Sequence, residues 1–127
     1  MKAVTFESSK KGHYVPGMIA GGMLYVSGQL PMDPATGTLV PGGIAEQTRA
    51  ALAGVERVLA AAGAVKEQVV MCRVYIPDVA LWDAVNEEYA RFFGDHKPAR
   101  VVVPTTALHH GALVEIEAMA ELAGEEA

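Results

Sequence analysis

Two charged residues stand out because apolar runs surround them. Arg100 falls in Lys97-Pro98-Ala99-Arg100-Val101-Val102-Val103, at the mouth of an expected strand, and Glu115 falls in Leu113-Val114-Glu115-Ile116-Glu117. An arginine fork holds a carboxylate through paired N–H donors, and a glutamate among apolar neighbours can give or take a proton. Together they would make a minimal hydrolytic site, one group to fix an acidic substrate and one to handle water. Each residue also has a plainer account, as a strand-end surface charge or as one position of a solvated polar face. The pattern alone does not choose between these readings.

Other chemistry-bearing residues fit known patterns less well. Ser27 lies in Tyr25-Val26-Ser27-Gly28-Gln29, where Tyr25 occupies the place a nucleophile elbow gives to glycine, so a triad serine is not expected. Gly17 to Gly22 reads GMIAGG, but no Lys-Ser/Thr follows and no strand-to-helix switch surrounds it, which makes it a hairpin rather than a phosphate loop. His96, His109 and His110 match no common zinc spacing and read as structural or surface residues. Cys72 is the single cysteine, which excludes an intrachain disulfide and a thiolate metal cluster, and it reads as a small buried group on a strand.

The elements that must position these residues can be read from periodicity. Lys2 to Glu7 alternates weakly, as an edge strand would. Met18-Ile19-Ala20 and Met23-Leu24-Tyr25-Val26-Ser27 flank Gly21-Gly22, a hairpin signal because glycine reaches the positive φ that tight turns demand. Pro31 to Gly37 carries two prolines and a glycine and reads as an exposed turn with no regular element.

From Ile44 the period becomes helical, through Thr48, Ala51, Leu52, Val55, Val58, Leu59 and Ala62, with Glu46 in the first turn and Gly63 placed to end the helix. Val69 to Ile76 is β-branched and closed by Pro77. Asp78 is placed to cap a second helix whose buried stripe is Leu81, Trp82, Val85, Tyr89, Phe92 and Phe93, ending at Gly94. Arg100 to Val103 is a short strand, and Leu113 to Leu122 alternates, with Val114, Ile116, Ala118, Ala120 and Leu122 opposed to Glu115, Glu117 and Glu121.

The order β-β-β-α-β-α-β-β predicts an α+β sandwich, one sheet with two helices on one face. At 127 residues the expectation is a single domain over 1–127, with an acidic end from Glu121 to Ala127 that frays. No stretch approaches the roughly 18 apolar residues of a membrane span, and the N-terminus has no secretory run, so a soluble, cytoplasmic protein is expected. Its net charge of −5, with scattered Lys and Arg, argues against nucleic acid as a partner. The sheet face away from the helices would carry Tyr25, Ser27, Met71, Arg73, Tyr75 and the glutamates of the last strand, and some of it is too apolar for open water. Copies of the same chain are the expected cover, with clefts where they meet.

These segments resemble the reactive-intermediate (enamine/imine) deaminase family, also called RidA-like or YjgF. The residues that carry the resemblance are YVSGQLPMDPATG at 25–37, EQTRAALAGVERVLAAAG at 46–63, VNEEYARFFG at 85–94, PAR at 98–100 and GALVEIEAMA at 111–120. The resemblance implies a chorismate-mutase-like sandwich, a homotrimer with a site in each inter-subunit cleft, no cofactor and no metal. It implies hydrolysis of 2-aminoacrylate-like enamines or imines to 2-keto acids and ammonia. By this resemblance Arg100 pairs with the substrate carboxylate, Glu115 activates or positions water, and Tyr14, Ser27, Gly28 and Asn86 line the pocket.

Two positions depart from the family pattern. Val101 and Val102 replace a small residue and a cysteine, so Val102 can offer only a backbone contact, and Gly12-His13-Tyr14-Val15-Pro16 lacks a usual polar group at the pocket mouth. A keto-acid-binding or chaperone-like protein, a pathway-specific relative with another substrate, and a ribonuclease are the competing functions. The acidic charge counts against the ribonuclease.

Overall fold

In the computed structural model, which describes residues 1–6 and 12–122, the chain forms eight strands and two α-helices. They are β1 Lys2–Val4, β2 Gly17–Ala20, β3 Met23–Gln29, β4 Met32–Asp33, β5 Thr38–Leu39, α1 Ile44–Ala61, β6 Val69–Ile76, α2 Trp82–Phe93, β7 Ala99–Pro104 and β8 Glu115–Glu121. Six strands make one sheet in the order β1-β2-β3-β8-β6-β7, antiparallel except for the parallel pair β6–β7. Glu7, the expected end of the first strand, and residues 123–127 of the acidic tail lie outside the described residues.

The local signals explain most of this. Gly21 and Gly22 both take positive φ, 58° and 77°, and close the β2–β3 hairpin with Ala20 opposite Met23. Helix α1 starts where the Glu46 carboxylate accepts from the Gly43 N–H at 2.9 Å, and it ends at Ala62 before Gly63, whose φ is 77°. Its buried side, Ala51, Leu52, Val55, Val58 and Leu59, packs on the inward strand residues Leu24, Val26, Cys72, Val74, Ile116 and Ala118. Val85, Tyr89 and Phe93 of α2 complete the core, with Tyr89 and Phe93 edge to face at 4.8 Å.

Four expectations need correction. Pro31 to Gly37 is not wholly irregular, because Met32 and Asp33 pair with Leu39 and Thr38 as the small hairpin β4–β5 around a turn in which Asp33 Oδ1 accepts from Ala35 N. Asp78 caps a separate single turn, Val79–Leu81, by accepting from Ala80 N at 2.9 Å, and α2 begins only at Trp82. Trp82 is 37% exposed rather than part of the buried stripe, since the first turn of α2 overhangs the edge strand β7 instead of the sheet centre. The last strand starts at Glu115, because the Leu113 N–H is taken by Gln47 Oε1 at 2.8 Å.

The helices cover one face of the sheet. Across the other run Tyr25, Met119, Met71 and Ala99 as register partners on β3, β8, β6 and β7, with Tyr25 45% exposed. Beside this apolar row lie Arg73 opposite Glu117 and Tyr75 opposite Glu115. Removing part of the buried helix face tests which layer holds the fold. Leu52→Ala, at a site 1% exposed, is expected to cost about 2–5 kcal/mol in urea unfolding, whereas Val65→Ala, 56% exposed, stays within about 0.5 kcal/mol.

Candidate active site in two halves

The first half is built on the uncovered face by a break in β3. Pairing with β8 keeps one register from Met23 to Val26 and then gains an extra residue before Gln29, which faces Ile116. This β-bulge at Ser27 and Gly28 turns the Gln29 side chain toward α1, against Gly54, and leaves Gly28 beside Glu115. A Cβ on Gly28 would meet the Glu115 carboxylate, so a larger residue there would displace that group from its present place. Ser27 is anchored by its Oγ donating to Val15 O at 2.7 Å and its N–H to Pro16 O at 2.9 Å, which ties the segment bearing Tyr14 to the bulge. Tyr14, Ser27, Gly28, His109, Glu115 and Glu117 line an open cleft of about 440 Å³.

The two carboxylates of this cleft are differently placed. Glu117 accepts from Arg73 Nη1 at 2.6 Å and from the Tyr75 hydroxyl at 2.9 Å, so its charge is matched. Glu115 has no hydrogen bond or ion pair among the described residues. Burial pushes its carboxyl above the ordinary value, the nearby Glu117 charge adds to this, and His109 partly opposes it. Neighbouring acids with environments that differ in this way suit an acid/base role for the unpaired one.

The second half lies on the helix side. Arg100 is opposite Cys72 in the parallel β6–β7 register, and Cys72 is fully buried under the helices, so the arginine side chain leaves β7 toward α2. There Trp82, Asn86 and Tyr89, spaced along one stripe of α2, receive it. Its Nη1 donates to Asn86 Oδ1 at 2.8 Å, and its guanidinium carbon lies 4.8 Å from the Tyr89 ring centre and 5.2 Å from that of Trp82. Tyr89 is 5% exposed, and its hydroxyl lies by the soft Cys72 thiol with no hydrogen bond of ordinary geometry among the described residues. Burial pushes the Tyr89 phenol and the Cys72 thiol both upward, so neither ionises here.

Arg49, Arg73 and Arg91 each meet a carboxylate, while half-buried Arg100 meets none among the described residues. A guanidinium clamped by aromatic rings, with one donor bonded among the described residues, can receive an anion. Val102 shares the helix-side face of β7 and packs against the core, so its side chain is committed to packing.

The sequence placed Arg100 and Glu115 in one site, and a single chain does not bring them together. Strand β6 pairs with both neighbours, placing Arg100 with Cys72 on the covered face and Glu115 with Tyr75 on the open one. Tyr14, Ser27 and Gly28 gather with Glu115, and Asn86 gathers with Arg100. Sequence reasoning overlooked His109, Glu117, Trp82 and Tyr89. His110 at φ 63° and Gly111 at φ 72° make the turn just before β8 that delivers His109, and the His-His-Gly run was its only signal. Trp82 and Tyr89 looked like core because helical spacing reports a face, not what that face touches. His96 Nε2 is engaged with Val69 O at 2.7 Å, and among the described residues no group of three or more His, Cys, Asp or Glu gathers as metal ligands would.

A family model described as endoribonuclease L-PSP matches residues 6–122. A RutC family protein of Pyrococcus horikoshii is 42% identical over 123 residues, 94% of this chain and 98% of the relative. The 2-iminobutanoate/2-iminopropanoate deaminase of Capra hircus is 41% identical over 109 residues, 86% of this chain and 80% of its own length. The crystal structure of the YjgF gene product of E. coli matches with a TM-score of 0.88 at 34% identity, over 95% of this chain and 98% of that one.

The raised Glu115 pKa makes a prediction about stability. A folded-state value above the ordinary 4.5 means that the contribution of Glu115 is fully present below that value and is lost as pH rises through the raised one. Thermal unfolding of wild type and Glu115→Gln should therefore coincide in acid and separate toward neutrality, with the glutamine variant the more stable. A gap that does not change with pH would contradict this.

Proposed function

The chain belongs to the endoribonuclease L-PSP family, the YjgF/RidA family, and from that premise we propose that it hydrolyses reactive 2-imino acids and their enamine tautomers to 2-keto acids and ammonia. The observation that carries this reading is the pair of half-sites, a guanidinium clamped by Asn86 and two aromatic rings with no carboxylate partner among the described residues, and a Glu115 carboxyl with no hydrogen-bond partner among them. Relatives named 2-iminobutanoate/2-iminopropanoate deaminase at about 40% identity support the reaction class. The apolar row of Tyr25, Met119 and Met71 supports assembly of identical subunits over the open sheet face, as a homotrimer. In this reading Arg100 and Asn86 of one copy face Tyr14, Ser27, Gly28 and Glu115 of the next, and the site needs no cofactor.

The substrate carboxylate takes the free donors of Arg100, which fixes the C=N carbon near Glu115. Protonated Glu115 donates to the enamine carbon or the imine nitrogen, and as carboxylate it then accepts a proton from water while the water oxygen bonds to the imine carbon. Glu115 returns that proton to the carbinolamine nitrogen, the C–N bond breaks to release ammonia, and the hydroxyl proton passes to Glu115 as the keto group forms. One water is consumed and no electrons change hands. Such imines already hydrolyse unaided, so positioning plus one acid/base group is sufficient chemistry.

The family description names RNA cleavage, but a net charge of −5 and two glutamates in the open cleft oppose a polyanion there. Keto acid released from 2-aminoacrylate generated in situ is the direct assay. Wild type should accelerate it, Glu115→Gln should lower kcat by roughly 100- to 10,000-fold, and Arg100→Ala should act mainly on KM. Wild type without effect would leave a keto-acid-binding protein, and Glu115→Gln at full rate would remove Glu115 from the mechanism.

A further inference from the structure

The Arg100 pocket is larger than a three-carbon acid needs, and it holds more than one cation. It encloses about 420 Å³ between the second half of α2, the connection Gly94 to Pro98 and the start of β7, and Lys97 and His96 line it together with Arg100. Among the described residues no acidic side chain lines it, in a chain whose net charge is −5. Lys97, like Arg100, has no carboxylate partner among the described residues.

The lysine is held in place by its neighbours. Gly94 ends α2 at φ 63° with its N–H on Ala90 O, and His96 docks its ring on Phe93 and its Nε2 on Val69 O at 2.7 Å. Pro98 restricts the backbone of Lys97 to extended conformations. A five-residue connection pinned on both sides thus fixes where the Lys97 side chain begins, three residues before Arg100 and within roughly 11 Å of it along the chain. A lysine stem of that reach brings its ammonium to the far end of a short diacid whose first carboxylate lies on Arg100.

We propose that this pocket is a second anion subsite, and that the cleft takes 2-imino dicarboxylates, with the side-chain carboxylate received by Lys97. The proposal rests on the deaminase reading and specifies its substrate class. Arg100 supplies the common contact made by any 2-imino acid, and Lys97 supplies the contact that only an acidic side chain can use. Arg100 is half-buried and Lys97 is exposed, so the second contact should count for about two- to fivefold in kcat/KM.

Imines generated in situ by amino acid oxidases from alanine and from glutamate provide the test. Wild type should favour the glutamate-derived imine, Lys97→Ala should cut the ratio of the two kcat/KM values about two- to fivefold, Lys97→Glu should invert it, and Lys97→Arg should keep it. Trp82, the single tryptophan, lies over Arg100, so its fluorescence reads binding without turnover. On that signal 2-oxoglutarate should bind more tightly than pyruvate, and Lys97→Ala should abolish the difference.

Turnover of both imines with no preference, or equal binding of both keto acids, overturns the subsite and leaves the deaminase reading intact. No turnover of either imine, with Lys97-dependent binding of 2-oxoglutarate, overturns the deaminase reading and upholds the subsite.

Discussion

The arrangement depends on strand β6, because both chemically useful strands take their facing from it. Pairing with β7 in parallel sets Arg100 beside Cys72, and pairing with β8 antiparallel sets Glu115 beside Tyr75. Cys72 and Tyr75 are separated by an odd number of positions, so the pleat sends them to opposite faces. A one-residue slip of either neighbour would put its charge on the wrong face, a guanidinium into the apolar row or a carboxylate into the core. The core residues Val74, Ile76, Ile116 and Ala118, all nearly inaccessible, hold the register against such a slip.

Each half of the site is then set by a contrast between neighbours of the same charge. Burial raises the affinity of Glu115 for its proton, and the fixed charge of Glu117, satisfied by Arg73 and Tyr75, adds to it. Arg73 spends its guanidinium on that ion pair, while Arg100 is steadied by an amide and two aromatic rings and meets no carboxylate among the described residues. A half-buried charge without a counterion is costly to keep. Here the cost is accepted at the positions where an anionic, proton-demanding substrate would remove it.

Much of this was legible in the sequence because it is local. The Gly-Gly hairpin, the helical stripe from Ile44, the capping glutamate Glu46 and the alternation of the last strand each depend on contacts within a few residues, and each holds. The bulge at Ser27 and Gly28 was hidden, since an extra residue shows only in the pairing with a strand nearly ninety positions later. The opposite facing of Arg100 and Glu115 was hidden for the same reason. Alternation says which residues share a face within a strand, and only the register between strands says whether two strands agree. Trp82 was assigned to the core because its spacing matches, although the sheet ends at β7 beneath it and leaves it to cover an arginine instead.

If the halves are completed by a neighbouring copy, each cleft draws Arg100 from one subunit and Glu115 from another. Arg100→Ala and Glu115→Gln, the first slowed by a raised KM and the second by a lowered kcat, can then be unfolded together, refolded as a mixture and assayed for keto acid release at substrate well below the raised KM, where each alone is nearly inactive. Random assembly puts an intact arginine opposite an intact glutamate in about a quarter of the clefts, so about a quarter of the wild-type rate should return. A mixture as inactive as its two components would contradict a site shared between chains.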